Sequence, residues 1–161
     1  MKQIFPIIAI VVLSLAGSAL MLAQGADPFV GTWKLNPAKS KYTGVAAPKS
    51  DTLTFEMQGN GLRLIREGIA ADGSRIAYSF VTSLNGKPVP VSGSGIPGGA
   101  DMETVKRINW NTTTATYTKA GKVVATTRNV VSKDGKVMTI TVKATNANGR
   151  PINTVAAYDK Q

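Results

Sequence analysis

Cysteine and histidine are both absent from this chain. Without cysteine it has neither a disulfide framework nor a lipid-modified thiol, so the fold must rest on its own core. Without histidine it lacks the ordinary proton shuttle of neutral pH and the commonest metal ligand. The two absences together remove every familiar nucleophile–base arrangement. Acids are scarce as well, nine Asp and Glu against nineteen Lys and Arg. Nothing pairs any two of them for carboxylate hydrolysis, and turns such as Asp72-Gly73-Ser74 and Asp134-Gly135-Lys136 hold too few acids for a calcium loop. The sequence therefore predicts no catalytic residue, no metal site and no cofactor, and the protein is read as a non-enzyme.

What remains is a formal charge of +10. Such an excess attracts anions, from anionic lipid headgroups and envelope polymers to acidic small molecules. The cations are scattered along the chain and form no dense basic block, which argues against specific nucleic-acid binding. The two Trp, four Tyr and four Phe residues do not make a stacking platform by composition alone.

Residues Phe5 to Leu22 form an apolar stretch behind Lys2, interrupted by Pro6, Ser14 and Ser18. This pattern is that of a secretory signal, and Ala23-Gln24-Gly25 fits a small-x-small cleavage site. A retained membrane anchor is the competing reading, because roughly 18 apolar residues can span a bilayer. The expectation is a signal peptide over 1–25 and a single domain over 26–161, exported to the periplasm or the extracellular space, with no stable transmembrane segment after cleavage.

Turn signals recur along that domain: Gly59-Asn60-Gly61, Asp72-Gly73, Asn85-Gly86, Ser92 to Gly99, Ala120-Gly121, Asp134-Gly135 and Asn148-Gly149. Asn-Gly and Asp-Gly supply the positive φ angles of tight hairpins. Between them, Leu53/Phe55/Met57, Ile76/Tyr78/Phe80 and Met138/Ile140/Val142 alternate with polar residues at the strand period. The spacing predicts ten strands near 30–35, 52–58, 61–69, 74–82, 87–91, 101–109, 112–119, 122–131, 136–145 and 151–159. The parity within 62–69 and 123–131 is not clean enough to assign every inward residue. The fold class is all-β, an antiparallel up-and-down barrel of about 8–10 strands, since closure removes the two edges of a long sheet. A β-sandwich would use the same strands with other connections.

In a meander, successive turns alternate between the two ends. The connections 36–51, 70–74, 92–100, 120–121 and 146–150 then share one end, and both long loops lie in that group. Long loops form the natural rim of a cavity, and Lys39, Lys41, Lys49, Arg75, Lys122 and Arg150 in or beside them predict a basic mouth. The run Ser92 to Gly99 lacks a phosphate-loop pattern and is expected to be a flexible rim loop or gate. Tyr78, Phe80, Met102, Tyr117, Ile140 and Val142 are the candidate lining of an apolar interior. The same residues would serve equally as an ordinary packed core.

Gly31-Thr32-Trp33, at the start of the first strand, resembles the Gly-x-Trp opening motif of the calycin superfamily, especially lipocalin-like bacterial secreted domains. Ala157-Tyr158-Asp159-Lys160 resembles the last strand of the intracellular fatty-acid-binding barrels. The resemblance implies an eight- or ten-stranded barrel around a small apolar or amphipathic ligand, with Gly31 and Trp33 as barrel-closing residues. It also implies a late basic residue packed over the Trp, for which Arg128, Arg150 and Lys160 are candidates. Two departures limit it. The segment 36–50 contains Pro37 and Pro48 where fatty-acid binders insert a helix pair, and Ala156 occupies the position of their carboxylate-clamping Arg. Arg107 or Arg128 could supply that cation from another strand.

The expected function is thus a lipocalin-like, secreted or periplasmic binding protein for a small hydrophobic or amphipathic ligand, with carboxylate-bearing amphiphiles suited to a basic rim. The alternative is a packed, non-catalytic barrel with a structural or interaction role at the cell envelope, docking on an anionic surface. An internal cavity would favour the first, and a filled interior with an exposed patch the second.

Overall fold

The computed structural model of the chain describes residues 26–146 and 148–161. The signal-like segment 1–25 lies outside the described residues. No helix among the described residues is long and apolar enough to cross a membrane.

Alternation at period two along nearly every predicted strand becomes one antiparallel, twelve-stranded sheet that curls on itself. The strands are β1 (Gly31–Leu35), β2 (Lys41–Thr43), β3 (Ser50–Gln58), β4 (Gly61–Ile69), β5 (Arg75–Thr82), β6 (Asn85–Pro90), β7 (Ser92–Ser94), β8 (Met102–Asn109), β9 (Thr112–Lys119), β10 (Lys122–Val131), β11 (Val137–Thr145) and β12 (Pro151–Lys160). Ten of these match the sequence-based expectation closely. The other two, β2 and β7, are three-residue strands inside the long loops. The sheet runs β6-β8-β9-β10-β11-β12-β1-β3-β4-β5-β7, with β2 added to β12. First and last strands meet directly, Trp33 opposite Lys160 and Leu35 opposite Tyr158. A single continuous sheet replaces the sandwich alternative.

The only break in the described ladder lies between β5 and β6, which are consecutive but share no register. The expected Asn85-Gly86 turn is displaced here. Leu84 already takes a positive φ (59°), its N–H donating to Thr82 Oγ1 at 3.1 Å, so the chain reverses there, and Asn85 and Gly86, the latter also at positive φ (82°), form an irregular start of β6. Above that turn β7 crosses the seam and pairs with β5, Gly93 opposite Tyr78. A Cβ on Gly93 would lie 2.2 Å from the Ala77 carbonyl oxygen, so only glycine lets the strand approach this closely. The glycine-rich run is thereby a strap packed over the seam, with a 3-10 turn at Pro97–Gly99, in place of the expected free gate.

The segment after β1 also differs from expectation. A 3-10 turn at Pro37–Lys39 faces outward, and β2 then extends the barrel wall along the β12 edge that β1 begins, Tyr42 opposite Thr154 and lining the interior. Lys39 Nζ bonds Asp159 at 2.9 Å on that outer wall, far along β12 from its open-end start, and so is no part of a basic mouth. Being exposed on both sides, this pair contributes little stability.

One end of the barrel is closed by residues 27–33. Trp33 is fully buried, and its indole N–H donates to the Phe29 carbonyl at 2.8 Å. Phe29 packs on Phe55, with ring centroids 5.9 Å apart, while the Arg107 guanidinium covers its other side and pairs with Asp27. Of the three candidates for the cation over Trp33, Lys160 takes the place, its Nζ 5.0 Å from the ring centroid. Gly31 makes this possible: its φ of 127° is open essentially to glycine alone, and a Cβ there would lie 2.8 Å from Lys160 Cε. Gly31→Ala is therefore expected to cost about 1–3 kcal/mol, read as a lower urea midpoint at unchanged m-value. An unmoved midpoint would show that neither the backbone nor Lys160 is constrained here.

Candidate functional site

Above this closed base the inward residues do not meet, leaving a cavity of about 490 Å³. That volume falls in the range of small-molecule pockets. Leu53, Leu62, Leu64, Ile76, Phe80 and Val105 supply its apolar walls. Tyr78, Phe80, Tyr117, Ile140 and Val142 from the sequence-based set also line it.

The other three candidates do not. Met102 points outward with Thr104 and Lys106, because Glu103 and Val105 hold the inward parity of β8. Arg107 has the inward parity but lies at the base, where it is committed to Asp27 and to the Trp110 carbonyl at 2.7 Å. Arg128 is exposed on the outer face of β10, opposite Thr114 and Thr141. Neither arginine substitutes for the missing clamp at Ala156.

The guanidinium beside Tyr158 comes instead from β4. Arg66 Nε and Nη2 form a bidentate pair with the two oxygens of Asp51 at 2.9 and 2.6 Å, and Nη1 donates to Tyr78 Oη at 3.0 Å. The Tyr158 hydroxyl donates to Asp51 Oδ2 at 2.7 Å. The Asp51 side chain is entirely excluded from solvent. Burial works against the charge on Arg66, but Tyr78, Tyr158 and Asp51 outweigh it and hold the guanidinium firmly protonated. Burial likewise pushes the Tyr78, Tyr117 and Tyr158 phenols up, so all three remain protonated and able to donate.

Glu103 faces this group from β8, opposite Tyr117 in the β8–β9 ladder. It is 2% exposed, lines the cavity, and has an Oε2 with no hydrogen-bond partner among the described residues. Burial raises its pKa to about 8, moderated by Tyr117 and Arg66. Its carboxyl is therefore uncharged at neutral pH, a group that can both donate and accept. On the neighbouring strands β9 and β10, Thr113, Thr127 and Asn129 form a further polar strip of the lining, with Asn129 Nδ2 donating to Thr113 Oγ1 at 3.1 Å.

The sequence-based reading missed Arg66, Asp51 and Glu103. One signal was present: each is a charged residue at the parity of apolar neighbours, Arg66 with Leu62 and Leu64, Asp51 with Leu53 and Phe55, Glu103 with Val105. A charge on an inward position needs a partner or a ligand.

The cations expected around the mouth stand at the open end only in part, and none of them belongs to the lining. Val45, Ala46, Pro48, Ala71 and Pro97 line the open end, and Asp72 is the charged residue among them. Lys49, Arg75, Lys122 and Arg150 lie at strand starts on the same end but outside the lining. No group of three or more acidic side chains among the described residues could hold a metal ion.

No family model matches the sequence, and no curated protein is significantly similar to it. Solved structures do align. The zebrafish ileal bile-acid-binding protein complexed with cholic acid superposes with a TM-score of 0.53 at 13% identity, covering 83% of this chain and 99% of that one. Two redesigned β-barrels bound to DFHBI align at TM-scores of 0.41 and 0.40, with 15% and 12% identity, over 83% of this chain and 95% and 99% of theirs. The first likeness shows the fold alone, an antiparallel β-barrel like that of the bile-acid-binding protein.

Proposed function

We propose that this chain is an exported, non-catalytic binding protein that carries a small hydrophobic or amphipathic molecule inside its barrel. The cavity of about 490 Å³ supports this reading over that of a packed envelope barrel, because a core evolved only for packing leaves few voids larger than a water molecule. Fold likeness alone would not carry it, since one fold hosts many functions. The bile-acid-binding protein, complexed with cholic acid, nonetheless offers a precedent for a small amphipathic ligand on such a barrel. Export rests on the apolar segment Phe5 to Leu22 and the small residues after it. The overall charge of +10 suits residence near anionic envelope surfaces.

The test is uptake of a neutral, environment-sensitive fluorophore by purified protein, alongside mass spectrometry of lipids extracted from exported material. Saturable one-to-one uptake is expected. Ala144, half-buried on β11 toward the open end, lines the cavity, so Ala144→Trp should weaken uptake roughly tenfold or more without loss of folding. A folded barrel that takes up no apolar probe would remove the carrier reading.

A further inference from the structure

We propose that the cavity is matched to an uncharged amphiphile whose polar group, a hydroxyl, carbonyl or amide, hydrogen-bonds Glu103, and that it discriminates against carboxylates of the same chain length. The proposal rests on the carrier reading above and names the ligand chemistry of that same site.

Three observations carry it. First, Glu103 is a buried polar side chain in an otherwise largely apolar wall, and its Oε2 is unsatisfied. Buried polar atoms are nearly always hydrogen-bonded, and an unpartnered one on a residue of the cavity wall points to a ligand atom as the partner it takes up. Second, Arg66 is the cation of the cavity wall, and it is already spent. Its Nε and Nη2 hold Asp51 and its Nη1 holds Tyr78, so an incoming carboxylate meets no free bidentate fork. Third, the charges balance against an anion. Arg66 is cancelled by Asp51, and the other Asp, Glu, Lys or Arg residues of the lining, Glu103 and Asp72, are both acids. A ligand carboxylate would add negative charge beside Glu103 with no cation in the lining other than the already paired Arg66.

A cationic head is the other chemistry an acid could take, and it is disfavoured twice. Burial keeps Glu103 protonated at neutral pH, so an ammonium group would have to displace a proton and also lose its own hydration. The strongly basic exterior also opposes the approach of cations. An alcohol or amide needs neither step, because a neutral carboxyl offers one O–H donor and one acceptor to it.

Dodecan-1-ol, dodecanoate and dodecylamine share a chain and differ only in the head. Each would compete with the neutral fluorophore at pH 6.5 on wild type, Glu103→Gln and Glu103→Leu. The alcohol should bind roughly tenfold or more tightly than the carboxylate. Glu103→Leu should lose the preference for the alcohol over the carboxylate, and Glu103→Gln should retain it. Carboxylate binding equal to or tighter than the alcohol, or tightest binding of the amine, would overturn the proposal. Equal affinity for all three heads with the fluorophore still bound would overturn it and leave the carrier reading intact. Failure of the fluorophore to bind at all would remove both.

Discussion

Replacing Arg66 with methionine is expected to destabilise the barrel by about 3–5 kcal/mol, because it strands Asp51 in a site closed to solvent. The carboxylate would keep the Tyr158 hydroxyl but lose both guanidinium hydrogen bonds and the charge that balances it. For a domain of this size that corresponds to a fall in Tm of roughly 10–15 °C. Asp51→Asn alone should also be costly, since it leaves Arg66 charged beside an amide. The double variant Arg66→Met with Asp51→Leu should recover much of the loss, because a buried ion pair can often be exchanged for apolar residues at little net cost. A double-mutant cycle from urea unfolding checks this. Additive losses would mean that the two residues do not act as a pair, and a single-variant loss below 1 kcal/mol would mean that water replaces the missing partner.

The second large effect is a dependence of stability on pH centred on Glu103. In the folded protein its pKa stands at about 8, against an ordinary value of 4.5. Between those values the native state holds a proton that the unfolded chain has released. Stability is therefore fully present below about pH 4.5 as far as this group is concerned, declines as pH rises, and levels off above about pH 8. The slope approaches 1.4 kcal/mol per pH unit, for a total on the order of 4–5 kcal/mol. The buried phenols of Tyr78, Tyr117 and Tyr158 are shifted upward and titrate above this window. Asp72, Asp134 and Asp159 are shifted downward and act only in strong acid, where their stabilisation is lost as pH falls. The stability maximum should thus lie on the acid side of neutrality. Urea midpoints from pH 5 to pH 9 should fall for the wild type and stay nearly flat for Glu103→Gln. A wild-type profile as flat as that of the variant would show that Glu103 titrates as an exposed acid.

Much of the architecture is legible in the sequence. Turn chemistry is local, so Gly59-Asn60, Asp72-Gly73 and Asp134-Gly135 mark hairpins whatever the rest of the chain does. Alternation is equally local, and it marked β3, β5 and β11 with the correct inward faces. The errors came where a neighbour not visible in the local pattern decided. Thr82 captured the Leu84 amide and started the reversal ahead of Asn85-Gly86, which forms an irregularity at the start of β6. The glycine-rich run became a strap because β5 offered it an unpaired edge at the seam. Arg107 and Arg128 looked alike as cations on strands, yet Asp27 holds one at the base while parity turns the other outward.

By itself, the sequence determined that this chain has neither thiol nor imidazole chemistry, that it is strongly cationic, and that it is an antiparallel meander opening on Gly31 and Trp33. These follow from composition and from periods of two residues, which need no distant partner to be read. Only the tertiary structure decided what the barrel encloses. Asp51, Arg66, Glu103 and Tyr158 come from four different strands, and their shared neutral cluster exists only once closure brings those strands around one cavity. The overall charge pointed toward an anionic ligand. The proposed preference for an uncharged one comes from the interior, because charge on a surface is a sum over the chain, whereas charge in a cavity is set by which few side chains face inward and which of them already hold one another.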